Sequence, residues 1–294
     1  APQGWRPLLE PAELATLLQQ APEIRVLQVT GNFARGHLPG AVESSYASWR
    51  GPIENPGALP DLSTLTQLVQ NLGIEVSTPV VVVHAGSTPA DMGSATRVYW
   101  TLKSLGVMDV AVINGGLQAW RDQGLPLSTE SAEVFPSDFM PRWNEQWRVT
   151  TAEVEALVES GEARLIDSRP PAFFQGLQSS FGRPGTIKGA SNLTYESWFD
   201  GDRLRTVDEL RAIYAAHGSI ESPITVNFCN TGHWSSISWF VMSELLQVSN
   251  TRLYAESIAE WSQRYRPMDN QPGRLSIYGK LTRDWLQSLI NRDS

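Results

Sequence analysis

This 294-residue sequence predicts a tandem α/β fold: two domains, each a parallel sheet with helices on both faces. Two observations predict it. Five sequence blocks recur in one order in both halves, the mark of a duplication. Within each half, β-branched runs alternate with amphipathic ones, as strands and crossover helices do. The repeated blocks are Val26–Thr30 with Leu165–Arg169, Gly36–Ala41 with Gly185–Ala190, and Tyr46–Trp49 with Tyr195–Trp198. Pro79–Ala85 matches Pro223–Cys229, and Val107–Trp120 matches Val248–Trp261 without a gap.

Short runs of Val, Ile and Leu suit strands buried on both faces. They predict strands at Val26–Thr30, Val80–His84 and Val110–Ile113 in the first half. The second half repeats them at Leu165–Ser168, Ile224–Phe228 and Thr251–Tyr254. Helical periodicity predicts Pro11–Gln20, Leu62–Leu72 and Ala95–Ser104, then Thr151–Glu159, Val207–Ala216 and Ser235–Leu246. A last helix is expected at Thr282–Ile290. Residues 128–148, rich in Pro, Ser and Trp, read as a linker between domains at 1–127 and 149–294.

A chain with 41% apolar and 18% charged residues has ample material for two cores. Its net charge of -8 argues against a nucleic-acid partner. No run of about 18 apolar residues is present, so no membrane span is expected. One cysteine rules out an internal disulfide and a cysteine-rich metal site, and no cofactor is implied. The first residue is Ala1 rather than Met, which fits a trimmed or signal-cleaved chain. An exported, periplasmic location is the expectation, with a cytoplasmic one as the alternative.

That cysteine, Cys229, carries the chemistry. A free cysteine is usually a small buried hydrophobe. Cys229 instead follows a strand and precedes Asn230, Thr231, Gly232, His233, Trp234 and Ser235. A thiol between a strand end and a helix start meets unpaired amides and the positive end of the helix dipole, which favour the reactive thiolate. The block alignment sets Ala85 opposite Cys229, so only the second loop is equipped for thiol chemistry.

The blocks resemble the tandem-domain rhodanese family, the thiosulfate and 3-mercaptopyruvate sulfurtransferases. Gly36–Ala41 resembles the family's Gly-His-Ile-Pro-Gly-Ala element, with Gly185–Ala190 a looser copy. Asn114–Trp120 resembles its Asp-Gly-Gly-x-x-x-Trp element, and Asp167-Ser168-Arg169 its strand end. The resemblance implies two rhodanese-like domains with the nucleophile in the second. Cys229 would take a sulfur from a small donor such as thiosulfate or 3-mercaptopyruvate, become a persulfide, and pass the sulfur to a thiol or cyanide.

It also implies substrate contacts from Asn230–Ser235. Thr231 and Ser235 have hydroxyls to offer a persulfide, although small polar residues before a helix are also caps. Gly232 permits a tight turn with positive φ. His233 is a candidate substrate contact or acid, against the alternative that it packs. Arg183, in Arg-Pro-Gly, matches the setting of a family arginine that clamps an anionic substrate; the alternative is a solvated loop arginine. Arg169 is expected to pair with a structural acid, and Asp167 to fix backbone.

The active loop departs from the family. Thiosulfate enzymes resemble Cys-Arg-Lys-Gly-Val-Thr-Ala, and mercaptopyruvate enzymes Cys-Gly-Ser/Thr-Gly-Val-Thr-Ala. Here Asn230 and Thr231 carry no charge and His-Trp-Ser replaces Val-Thr-Ala. A phosphatase of related fold needs Cys-x5-Arg, and Ser235 stands where that arginine belongs. The rival to turnover is a persulfide carrier or sulfur-binding module serving a protein partner.

Overall fold

A computed structural model describes residues 1–218, 223–273, 279 and 281–287. Two parallel sheets form the two layers around which the helices pack. In the first, the strands lie in the order Leu8–Leu9, Val110–Ile113, Val80–Val83, Arg25–Gln28, Val42–Glu43. In the second the order is Thr251–Leu253, Ile224–Phe228, Ala163–Asp167, Ser191–Asn192. The strand that delivers Cys229 is therefore interior, and its buried residues read as an apolar run because helices cover both faces. Ligands of such sheets bind beyond the carboxyl ends of the strands, which is where Cys229 emerges.

Most helices fall where the periodicity places them, including Pro11–Gln20, Thr151–Ser160 and Val207–Ala216. All three begin with reciprocal capping boxes, Glu10 with Glu13, Thr150 with Glu153 and Thr206 with Glu209. The expected helix Ser235–Leu246 is instead an α-helix over Trp234–Trp239 that widens into a π-helix over Phe240–Leu245. A short helix at Gly116–Asp122 and its counterpart Ser257–Trp261 escaped the sequence reading because each spans about one to two turns. Residues 281–287 are helical, and the remainder of the expected Thr282–Ile290 helix lies outside the described residues. Residues 128–148 hold one 3-10 turn, Glu145–Trp147, and otherwise run irregularly.

The domains are joined by a continuous core. Helix Met92–Ser104 of the first domain is buried along almost its whole length and packs on Trp234–Trp239 of the second. Gly93, Thr96 and Ser236 keep side chains small at this crossing. The Thr96 and Ser236 hydroxyls meet at 2.7 Å. The Tyr99 hydroxyl donates to Glu244 at 2.7 Å, and Lys103 pairs with the same carboxylate. One core cluster accordingly contains Trp100 and Val82 from one domain with Trp239 and Phe240 from the other.

The ladders correct one sequence alignment. Val81 pairs with Val26, and Val226 with Leu165, the matching residue of the second half. Val82 pairs with Val112, and Asn227 with Leu253, again matching positions. The Leu117 amide donates to the His84 carbonyl at 2.8 Å, as the Ile258 amide does to Cys229 at 3.1 Å. His84, not Ala85, is the counterpart of Cys229. Four consecutive valines, Val80–Val83, gave the sequence no mark of register, and the slip was one residue.

Candidate active site

Cys229 is buried at the end of its strand. Its amide donates to the Ser257 hydroxyl at 3.1 Å, and that hydroxyl donates to the Tyr254 carbonyl at 2.7 Å. Ser257 sits in the left-handed region at φ 55, where the matching Gly116 lies at φ 63. The sulfur itself receives a hydrogen bond from the Ser235 hydroxyl at 3.3 Å. Ser235 is wholly buried, one residue into the helix. Among the described residues, no acceptor pairs with the backbone amides of Asn230, Thr231, Gly232, His233, Trp234 or Ser235. Unpaired amides of this kind, wrapped around a centre, form a nest for an anion.

The loop is braced from both domains. Beneath Asn230, the Asp167 carboxylate holds Arg169 through Nε and Nη2, and Arg169 Nη1 donates to the Asn230 side chain at 3.2 Å. Both charges are buried, and the Thr186 hydroxyl and Gly185 carbonyl complete their bonding. Asp167 and Arg169 thus play the structural parts expected of them. The Ala259 amide takes the Asn230 carbonyl at 2.9 Å. Gly232 turns at φ 70, and a Cβ there would stand 2.4 Å from the Ala255 carbonyl and 2.6 Å from Arg97 Nη1. Thr231 is half-buried, and its carbonyl accepts from Arg97 Nη1 at 3.5 Å.

His233 is held at both nitrogens. Nε2 lies 2.7 Å from the Ala90 carbonyl, which can only accept, so Nε2 carries the hydrogen. Nδ1 then accepts from the Tyr46 hydroxyl at 2.9 Å. Burial, aided by Arg50, pushes the imidazole down to about 4, so it is neutral at pH 7. Both partners belong to the first domain, and a Cβ on Gly93 would stand 2.6 Å from the same ring. Trp234 stacks on Tyr195, centroids 5.1 Å apart and planes at 9°, with Phe173 against it. The duplicated Tyr46 and Tyr195 thus grip consecutive residues of the active loop.

Seven of the eight predicted site residues come together: Cys229 and the six that follow. Arg183 is directed elsewhere. Its guanidinium donates to the carbonyls of Ser262, Arg264 and Arg266, and none of these bonds reaches the loop. Sequence reading missed Tyr46, Arg97 and Ser257. Tyr46 had a signal, since it opens a repeated block; Arg97 had only its charge within an apolar helix.

The matching loop of the first domain is filled by its own chain. The Asp91 carboxylate accepts from the Gly86 amide at 2.8 Å and from the Thr30 hydroxyl at 3.2 Å. Thr30 in turn accepts from the Ala85 amide at 2.9 Å. His84 is buried there with Nδ1 unpartnered among the described residues, and burial pushes it down to about 4. No group of His, Cys, Asp and Glu suited to a metal ion occurs among the described residues. No helix among them is long and apolar enough to cross a membrane.

Comparison with known proteins agrees with this architecture. A family model of the rhodanese-like domain matches twice, at residues 10–123 and 150–264. A thiosulfate sulfurtransferase of Corynebacterium glutamicum is 32% identical, the alignment covering 79% of this chain and 78% of the relative. The 3-mercaptopyruvate sulfurtransferase of Escherichia coli K12 is 29% identical over 80% and 84%. A sulfur carrier protein of Thermus thermophilus, TtuD, is 29% identical over 82% and 88%. Among solved structures, SseA from Escherichia coli superposes with a TM-score of 0.75 at 24% identity, covering 86% of this chain and 98% of its own. The anaerobic ergothioneine biosynthesis enzyme of Chlorobium limicola gives 0.80 at 22%, covering 91% and 71%; these two likenesses speak to the fold.

Proposed function

The chain belongs to the rhodanese-like family, and from that premise we propose that it is a sulfurtransferase working through a Cys229 persulfide. The observation that carries the reading is the Cys229 sulfur itself, held by the Ser235 hydroxyl beside six amides without acceptors among the described residues. In the first step the thiolate attacks the transferable sulfur of a donor. With thiosulfate, the S–S bond breaks and its electron pair leaves with sulfite. With 3-mercaptopyruvate, the C–S bond breaks and the three-carbon unit leaves as the enolate of pyruvate, which takes up a proton. In the second step a thiolate or cyanide attacks the outer persulfide sulfur, and the Cys229 thiolate departs.

Thiolate and persulfide are both anions, and the loop amides and the Ser235 hydroxyl stabilise either. Neutral His233, with both nitrogens engaged, holds the loop and leaves proton transfer to solvent or substrate. Asn230, Thr231, Gly232 and Trp234 shape the rim. Arg183 serves the donor's anionic group only if it leaves the carbonyls it now holds.

The test is mass spectrometry of Cys229 after separate exposure to thiosulfate and to 3-mercaptopyruvate, with thiocyanate formation followed in parallel. A gain of one sulfur and steady turnover are expected with at least one donor, and Cys229→Ser abolishes both. Sulfur transfer retained in that variant sinks the assignment. The uncharged Asn230-Thr231 pair favours a second reading, a persulfide carrier for a protein partner, marked by stable loading without turnover.

A further inference from the structure

The loop after Cys229 lacks cations, yet a cation lies against it from the other domain. Arg97 projects from helix Met92–Ser104 and is wholly buried. Its Nη1 donates to the Thr231 carbonyl at 3.5 Å and its Nη2 to the Gly57 carbonyl at 2.7 Å. Its Nε is buried with no partner among the described residues. The Trp100 ring lies 5.3 Å beneath the guanidinium carbon. No carboxylate forms an ion pair with it among the described residues, an unusual state for a buried arginine.

The charges that act on Arg97 come from both domains. Arg50 and Tyr46 come from the first domain, Glu256 and Cys229 from the second. Arg50 repels it. Glu256 is paired with Arg148 through Oε1 alone, and its Oε2 is buried without a partner among the described residues. Tyr46 is held neutral by burial, which raises its phenol. Two anionic groups therefore answer the guanidinium, Glu256 and the Cys229 sulfur, and it is the loop of Cys229 that Arg97 contacts, at the Thr231 carbonyl and against Gly232. Burial and Arg50 draw Arg97 down to about 9, which still leaves it charged at neutral pH.

We propose that Arg97 is the positioning residue that balances the negative charge on the Cys229 sulfur, the first domain supplying across the interface the cation that the active loop lacks. Its fork fixes the turn at Thr231-Gly232, and its charge faces the anion that thiolate and persulfide share. The first domain is then more than a spent duplicate: its helix is part of the sulfur's electrostatic environment.

The inference rests on Cys229 as the transferring sulfur, so its test reads the thiol without any sulfur donor. Cys229 is the only cysteine, so thiolate formation can be followed by ultraviolet absorbance against pH, with Cys229→Ser as the baseline. Arg97→Gln keeps amide donors for the two carbonyls and removes the charge. Arg97→Lys keeps the charge and removes the fork. In Gln the midpoint of ionisation should rise by about one unit or more, a roughly tenfold loss of thiolate near neutral pH. In Lys most of that shift should be absent. Equal midpoints in wild type and Gln, both folded by circular dichroism, overturn the proposal, as does an equal rise in Gln and Lys. Should Gln not fold, a Lys midpoint raised by as much as was expected for Gln overturns it, and a Lys midpoint at the wild-type value supports it. Failure of sulfur transfer with an intact ionisation result would instead count against the sulfurtransferase reading.

Discussion

The Tyr46 hydroxyl donates to Nδ1 of His233 at 2.9 Å, tying the first domain to the loop that carries Cys229. Tyr46→Phe removes the donor and leaves a buried nitrogen without a partner. Such a loss costs about 1–3 kcal/mol. Denaturant unfolding should show a lower midpoint with an unchanged slope, and sulfur transfer should slow as the loop loosens. An unchanged midpoint would mean that solvent already competes for the nitrogen.

The two depressed imidazoles set a pH dependence. His233 and His84 both titrate at about 4 in the folded protein, against an unfolded value near 6.5. Between those values the unfolded chain binds the additional proton, so stability falls as pH drops from about 6.5 to about 4 and levels below. At about 1.4 kcal/mol per pH unit, each ring contributes at most roughly 3.5 kcal/mol to that loss. Unfolding curves from pH 7 to pH 4 should trace it. His84→Phe should flatten part of the slope; an unflattened slope removes His84 from the account.

Gly232→Ala tests how tightly the loop is packed. The new methyl would meet the Ala255 carbonyl at 2.4 Å, a backbone atom with little room to retreat, and φ 70 adds strain for any side chain. A stability loss of about 2 kcal/mol or more is expected, with sulfur loading reduced at least tenfold. Near-wild-type loading would show that the turn is free to rearrange.

Asp167→Asn addresses the brace under Asn230. It leaves Arg169 charged and buried with a weaker partner, a change that costs on the order of 3 kcal/mol. The melting temperature should fall by several degrees. Asp167→Asn with the melting point of wild type would show that Gly185 and Asn230 suffice for Arg169.

Ser235→Ala removes the hydrogen bond seen at the Cys229 sulfur. One bond of about 1 kcal/mol corresponds to a roughly fivefold slower first step. Rapid-mix measurement of sulfur loading reads this directly. No change would place the stabilisation of the sulfur on the amides alone.

The sequence announced the duplication, the interior strand Ile224–Phe228 and the thiol at its end, because each leaves a local pattern. The repeated blocks even contained Tyr46 and Tyr195, which meet at His233 and Trp234. What stayed illegible depends on how the halves face each other. Arg97 reads as one charge in a helix until that helix is seen packed on Trp234–Trp239. Arg183 lies beside the right glycine, yet its direction is set by the carbonyls at 262–266. The valine run Val80–Val83 hid the pairing of His84 with Cys229, since sliding identical residues leaves no trace.

Asp91 gives the duplication a stoichiometry. Its carboxylate already occupies the amide of Gly86, whereas the second loop carries no acid and its amides have no acceptor among the described residues. Of two loops of common descent, one therefore spends its amide on its own side chain and the other keeps its amides for an anion. A titration with a small anion should saturate at one equivalent, and the heat it releases should report on the second domain alone.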